Sequence, residues 1–334
     1  MIKITKFYLV ILIMIICGSL TTHAFDIYPQ LGHRRAGTSA LTFLKIGVGS
    51  RASSMGGAFV SVADDASCLY WNPAGAAQMK QSEIYSSRIE WPAGIVYDYF
   101  GIVYKMSSNY SFGLSAGILH TDPMNVTTEY MPHGTGEQFY FSDLFIAATI
   151  SQKITQQFSW GLTLKYVEEQ IADVSSQTPL IDIGTFYWTG YKSLRFAVSL
   201  TNFGSEVMNN GKYAKPVIEG GTVDVNYKSF PLPTIFRIGT AMEVIDTEIN
   251  KMTLSAQLNH PVDNAETFSI GIENAFANML FARGGFNLNN AEEKFNLGVG
   301  IKLSLNEKDI SFDYSYSSMT YLTDVQRFTL KFSL

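Results

Sequence analysis

The chain has 334 residues with 24 basic and 29 acidic side chains, and only 16% of its residues are charged while 13% are aromatic. The acidic balance excludes a nucleic-acid-binding surface as its main feature. The charged fraction lies well below the ~25% of ordinary globular domains.

Lys3 and Lys6 precede an apolar run from Phe7 to Cys17, and Thr22-His23-Ala24 follows with small residues where a signal peptidase reads. This pattern predicts a secretory signal peptide over residues 1–24, cut after Ala24. The run is shorter than the ~20 residues a bilayer-spanning helix needs. Ile16, where a small residue is expected, argues against a lipid anchor on Cys17. Loss of Lys3 and Lys6 leaves 22 basic against 29 acidic side chains. Loss of Cys17 leaves Cys68 alone, so no intramolecular disulfide is available, and Cys68 reads as a small buried residue. Beyond residue 24 no apolar run approaches the ~18 residues of a helical span.

Residues 25–81 are rich in Gly, Ala and Ser and show no sustained alternation. They are predicted to form a compact plug. Asn72-Pro73 suits the N-cap and first residue of a short helical turn, and Asp64 or Asp65 suits a second cap.

From residue 82 to 334 the pattern has period two. Phe158, Trp160, Leu162, Leu164 and Tyr166 alternate with Ser159, Gly161, Thr163 and Lys165. Phe295, Leu297, Val299, Ile301 and Leu303 alternate with Asn296, Gly298, Gly300, Lys302 and Ser304. Successive strand residues point to opposite faces, so each segment carries one apolar and one small or polar face. About fourteen such segments are predicted: 82–90, 97–106, 110–120, 138–153, 157–170, 179–189, 192–202, 234–244, 251–258, 266–275, 278–287, 294–304, 309–317 and 325–333. Their even number and near-spanning lengths predict an all-β fold, a closed antiparallel transmembrane barrel with the plug in its lumen. Connections after even segments are short, whereas 121–137, 203–233 and 318–324 follow odd ones. Outer-membrane barrels sort short periplasmic turns from longer outer loops in this way.

The run Phe43 to Gly75, "FLKIGVGSRASSMGGAFVSVADDASCLYWNPAG", resembles the N-terminal signature of the PorV/PorQ family, itself similar to FadL-type outer-membrane proteins that share the Asn-Pro-Ala element. "LPTIFRIGTA" (Leu232 to Ala241), "HPVDN" (His260 to Asn264), "FARGGF" (Phe281 to Phe286) and "ISFDYSY" (Ile310 to Tyr316) extend the resemblance over nearly all of the chain after residue 24. It implies a fourteen-stranded plugged barrel in the bacterial outer membrane. It also implies one of two functions. Some members receive the C-terminal sorting domains of secreted proteins in type IX secretion. FadL-type relatives pass hydrophobic small molecules.

Gly113-Leu114-Ser115-Ala116-Gly117 matches a nucleophile-elbow string but lies in an alternating strand rather than a strand-to-helix turn. Gly47-Val48-Gly49-Ser50-Arg51-Ala52 matches a dinucleotide fingerprint without the βαβ setting it requires. His33, His120, His133 and His260 are scattered and show no metal-ligand spacing. No catalytic residue, cofactor or metal is therefore expected, and no enzymatic role.

Alternation turns Lys165, Asp182, Arg195, Arg237, Glu273, Arg283, Lys302 and Asp313 away from lipid. A Lys or Arg on the lipid face costs about 2–4 kcal/mol at the midplane. Arg51, Asp64 and Asp65 are expected to pair with this set and anchor the plug, with Trp71, Asn72 and Pro73 as its structural core. Trp91, Tyr97, Tyr99, Trp188, Tyr191 and Tyr316 are predicted to form interfacial girdles. Secretion is the leading expectation, with cargo or secretion-machinery partners bound at loops 121–137 and 203–233. Transport of hydrophobic molecules is the alternative, through an apolar pocket lined by Phe43, Leu44, Phe59 and Trp71.

Overall fold

The computed structural model describes residues 36–172, 174–216, 222–290, 293–305 and 308–334. The predicted signal peptide, Cys17 and His33 lie outside the described residues.

Fourteen antiparallel strands close into a barrel. In chain order they are β1 (Glu83–Trp91), β2 (Ile95–Lys105), β3 (Tyr110–His120), β4 (Phe141–Lys153), β5 (Phe158–Ile171), β6 (Val174–Trp188) and β7 (Arg195–Phe203). There follow β8 (Ile235–Asp246), β9 (Asn250–Pro261), β10 (Thr267–Phe276), β11 (Leu280–Leu288), β12 (Glu293–Leu305), β13 (Lys308–Met319) and β14 (Val325–Ser333). β1 pairs with β14, from Glu83↔Ser333 to Glu90↔Gln326, and closes the sheet on itself. Every predicted segment is a strand, with two notable shifts. Gln138–Phe139 pairs back on Met124–Asn125 within a loop, so β4 starts at Phe141. β6 starts at Val174, five residues before the expected start.

The two long connections, 121–140 and 204–234, both follow odd strands and share one end of the barrel, called the loop end below. The second carries two small antiparallel pairs, Val207–Met208 with Ser229–Phe230 and Lys212–Pro216 with Thr222–Asn226. Tight turns such as 106–109 and 277–279 mark the opposite, turn end.

Most strands alternate buried and exposed residues, as in the pattern of β3. The exposed face is the apolar one: Phe112, Leu114, Leu164, Phe295, Leu297 and Phe312 all point outward. That inversion of the soluble-protein pattern is what a lipid solvent selects.

Residues 36–81 fill the lumen from one end to the other. Near the loop end, Ala40 N–H donates to Pro231 O at 3.1 Å and Lys45 pairs with Asp263 at 2.7 Å. Near the turn end, Gln78 reaches Ser159 Oγ at 2.6 Å and accepts from Trp188 Nε1 at 3.0 Å. Between them lie two short helices, α1 (Ser50–Ser54) and α2 (Cys68–Trp71), and 3-10 turns at Thr42–Lys45 and Pro73–Ala77. Helices this short gain little stability on their own, so packing against the wall holds them. Small wall residues make that packing possible. A Cβ on Gly184 would overlap Asn72 and Pro73, and one on Gly161 would overlap the Pro73 backbone.

The plug also explains a departure from expectation. Tyr97 and Tyr99 are buried inward, and Trp91 and Trp188 lie half-buried on inward positions, Trp188 bonded to Gln78. Of the six aromatics assigned to girdles, only Tyr191 and Tyr316 are exposed. A lumen filled by protein rewards aromatic side chains as lipid does, so aromaticity does not mark the lipid face here.

Gly184→Val should unseat the plug while the barrel still forms. Limited proteolysis of the purified protein should cut within 36–81 in this variant, with the barrel remaining heat-modifiable on gels. Gly284→Val, where a Cβ meets nothing nearer than 3.6 Å, should match the parent.

Candidate functional site

The plug seat is built around Arg51 on α1. Its Nε and Nη2 each donate to Glu273 of β10 at 2.8 Å, and its Nη1 donates to Asp64 at 2.5 Å and Asp65 at 3.1 Å. Glu273 also accepts from Arg283 of β11 at 2.6 Å, and Arg283 donates to Asp313 of β13 at 2.7 Å. Lys331 of β14 lies 3.2 Å from Asp313 and 3.5 Å from Asp65. Arg51, Glu273, Arg283, Asp313, Lys331 and Asp65 thus close a ring of alternating charge. The absent side chain of Gly300 on β12 lets Arg283 reach across to Asp313, since a Cβ there would overlap both.

Buried charges need such partners, because an unpaired ion in a dry interior is costly. Burial by itself would raise the Asp65 carboxyl, yet Lys331 and Arg51 hold it down to about 2. Its folded value lies below its unfolded one, so its stabilisation is complete above the ordinary carboxylate range and is lost as pH falls through about 2.

The remaining expected residues occupy several settings. Arg195 donates to Ser61 O at 2.7 Å and pairs with Glu243 at 2.8 Å. Lys165 pairs with Asp182 at 2.9 Å and donates to Asn202 Oδ1 at 2.9 Å. Arg237 donates to Thr201 Oγ1 at 2.8 Å and lies over the rings of Trp71 and Tyr70, 5.4 and 5.9 Å from their centroids. Lys302 is half-exposed near the turn end and pairs with Asp309 across its own hairpin, not with the plug. Asp64 is largely exposed and touches the ring only through Arg51.

Trp71 Nε1 donates to Val48 O at 2.9 Å. Asn72 caps the Pro73–Ala77 turn by accepting from Ala74 N–H at 3.1 Å, and its Nδ2 donates to Val60 O and Thr185 O. Asp65 Oδ1 accepts from Ser67 N–H and Oγ just ahead of α2. Sequence reading passed over Lys331, Glu243 and Gln257. Gln257 accepts from Phe59 and Val60 N–H at 3.0 and 2.8 Å. The alternation Arg327, Thr329, Lys331 along β14 carried the signal for Lys331.

Phe43, Leu44, Phe59 and Trp71 are not among the residues lining the apolar cavity on the wall described below. All four are buried in the core. Phe43 meets Tyr97 and Phe145 at ring distances of 6.2 and 6.5 Å, and Phe59 meets Trp71 at 6.2 Å. The sequence showed these side chains as apolar but not how tightly their neighbours fill the space around them.

An apolar cavity of about 970 Å³ lies instead on the wall. Its lining includes the outward residues Phe100, Leu114, Ile146, Leu164 and Phe203, with Ala116 and Ala148 among them. One end reaches Pro179, Leu180, Gly204 and Ser205, where the wall changes. The β6–β7 ladder runs from Trp188↔Arg195 to Ile181↔Phe203 and then stops. Asn202 sits there in a left-handed conformation (φ 59), in a bulge opposite Asp182 whose carboxylate accepts its N–H at 2.6 Å. Bulges bend strands and end pairing. Beyond this point residues 174–180 of β6 form a ladder only with β5, and on their other side Asn210 N–H of the following loop donates to Ser175 O at 2.7 Å. Pro179 lies on this side, where a missing N–H costs no ladder bond. The result is a seam in the wall at the loop end, beside the apolar cavity. Ser115, the string's candidate nucleophile, lies within β3, which is strand throughout.

Arg283→Ala leaves Glu273 and Asp313 with one partner fewer, and breaking a buried pair costs about 3–5 kcal/mol. The plug should become protease-sensitive and planar-bilayer conductance should rise. Arg237→Ala, outside the ring, should change both less. Lowering the pH through about 2 should loosen the parent plug in the same assay as Asp65 takes up its proton.

Residues 26–164 match the model of an uncharacterised protein family, UPF0164. No curated protein matches the chain. Among solved structures, the chain resembles the CymD monoaromatic hydrocarbon channel with a TM-score of 0.56 at 13% identity, over 86% of this chain and 97% of that one. The Pseudomonas putida toluene transporter TodX gives 0.54 at 11% identity. The Ralstonia pickettii toluene transporter TbuX gives 0.51 at 12% identity, and both alignments cover 86% of this chain and 97% of the other. The fold is therefore a closed fourteen-stranded antiparallel barrel like that of these hydrocarbon channels and transporters.

Proposed function

We propose that the chain sits in a bacterial outer membrane and passes small hydrophobic molecules across it, leaving through the β6–β7 seam into the lipid. The observation that carries this reading is the apolar cavity of about 970 Å³ that meets the seam. A water-filled pore offers nothing to an apolar solute, whereas an apolar groove opening to lipid lets it move without crossing a polar layer. The likeness in fold to hydrocarbon channels supports the same reading. The buried charge ring keeps the plug seated, so passage on this reading uses the wall rather than an open lumen. No catalytic step, cofactor or metal belongs to the proposal.

Binding of secreted cargo, or of secretion machinery, of the PorV/PorQ type is a second reading. Its support is the loop 204–234, where the Lys212–Pro216 and Thr222–Asn226 pair forms a two-stranded sheet of its own. Free strand edges of this kind can take up an extended partner strand.

The two readings separate experimentally. Cells carrying the protein should take up radiolabelled toluene several-fold faster than cells with a vector control. Ala148→Trp, which fills the groove from its lipid side, should return uptake towards the control. Uptake equal to the vector control in the parent would remove the transport reading. Capture of sorting-domain proteins that is lost on deleting 212–226 would favour the second.

A further inference from the structure

Near the loop end of the inner wall, four oxygen-bearing side chains lie on or beside four successive strands. Asp143 of β4 lies directly opposite Glu169 of β5, and Glu169 directly opposite Ser176 of β6. Thr121, just past β3, donates its N–H to Phe141 O and so lies beside the start of β4. Residues paired in this way have Cβ atoms about 4.5–5.5 Å apart. Asp143 and Ser176 are each only 1% exposed. Asp143 Oδ1, Ser176 Oγ and Thr121 Oγ1 are buried and find no hydrogen-bond partner among the described residues. Glu169 is half-buried, and its Oε2 accepts the N–H of Leu41 at 3.2 Å.

This group differs from every other inward carboxylate described above. Asp65, Asp182, Glu243, Glu273 and Asp313 each have a Lys or Arg within ion-pair distance. Asp143 and Glu169 have none among the described residues, and they stand directly opposite each other across β4 and β5. Two carboxylates facing each other in an apolar setting repel, and burial amplifies the repulsion. Buried oxygens without partners and an uncompensated double negative charge share one chemical remedy, a hard cation bound by oxygen.

We propose that Asp143 and Glu169 hold a divalent cation, Ca²⁺, between them, with Ser176 and Thr121 as flanking oxygens that bind it or its waters. Ca²⁺ accepts six to eight oxygen ligands in flexible geometry and keeps water on its open side. Here the open side is that of half-exposed Glu169. Mg²⁺, which demands near-ideal octahedral ligands, fits a row of side chains on a sheet less well. The same Glu169 holds Leu41, so the ion ties the plug's first described segment to the wall. The site does not depend on what the barrel transports.

The test uses the full-length protein in detergent, freed of metal by chelator. Calorimetric titration with CaCl₂ should show one saturable site per chain, with a Kd on the order of 10⁻⁴–10⁻³ M, the range of extracellular modules. Ca²⁺ should raise the Tm, and Mg²⁺ at equal concentration should raise it less. Asp143→Asn and Glu169→Gln, both close in shape to the native residues, should each abolish the titration signal and the Tm response. Glu129→Gln, on an exposed loop, should retain both. No saturable binding by the parent overturns the assignment, as does binding undiminished in both wall variants. Heat-modifiable migration establishes that each variant has folded before it is titrated.

Discussion

The lumen of this barrel is filled with protein rather than water, and most of the structure answers to that constraint. A side chain pointing inward meets the plug. An inward charge must therefore find its counter-charge within reach, and an inward backbone must leave room for another backbone. The ring from Arg51 through Glu273, Arg283, Asp313 and Lys331 to Asp65 meets the first demand. Gly161 and Gly184 under Asn72-Pro73 meet the second. Both demands fall on residues far apart in sequence: Arg51 and Lys331 both pair with Asp65, and Lys331 stands beside the plug because β14 closes against β1.

Much of this architecture was legible in the sequence. Lipid selects apolar side chains at every second position, and that periodicity survives in nearly every strand. The Asn72-Pro73 turn follows from local backbone chemistry and stands where expected. Other features were hidden for physical reasons. The sixth predicted strand begins at Pro179, a residue at home at a strand's start, whereas in the fold β6 begins five residues earlier, at Val174, along a stretch that pairs with β5. Tyr97 and Tyr99 were assigned to the lipid side because a packed lumen and a bilayer favour the same side chains. Which inward charges would meet depends on the barrel's stagger, which alternation alone does not encode. Lys302 and Arg237 were therefore grouped with the ring, although one closes a hairpin and the other lies over Trp71.

The wall is less uniform than the plug seat. The β6–β7 ladder stops at Ile181↔Phe203, seven residues short of the start of β6. That stop has local causes: the left-handed Asn202, the Asp182 carboxylate that takes its N–H, and the departure of the chain at Gly204 into the loop. Lys165 binds both Asp182 and Asn202 from the neighbouring strand, so the bulge is braced from behind. Most residues lining the cavity are ordinary outward apolar ones, with the buried Ser115, Lys165 and Leu180 at its floor. Its shape arises from two alanines among bulkier neighbours together with an edge whose ladder has stopped. Function on this reading would come from an irregularity in backbone pairing rather than from reactive groups.

The path of residues 36–81 bears on how the barrel closes. The segment is bonded to the loop 204–234 near one end, to β5 and β6 near the other, and to Arg327 and Thr329 of β14 on the way. It then continues directly into β1, and Leu334 N–H donates to Ser82 O. The ladder that closes the barrel, β1 with β14, encloses this segment, which is fitted against wall glycines. Both closing strands are held by that plug, one covalently and one through Ser50. The N-terminal segment thus lies inside the wound sheet as a mandrel does.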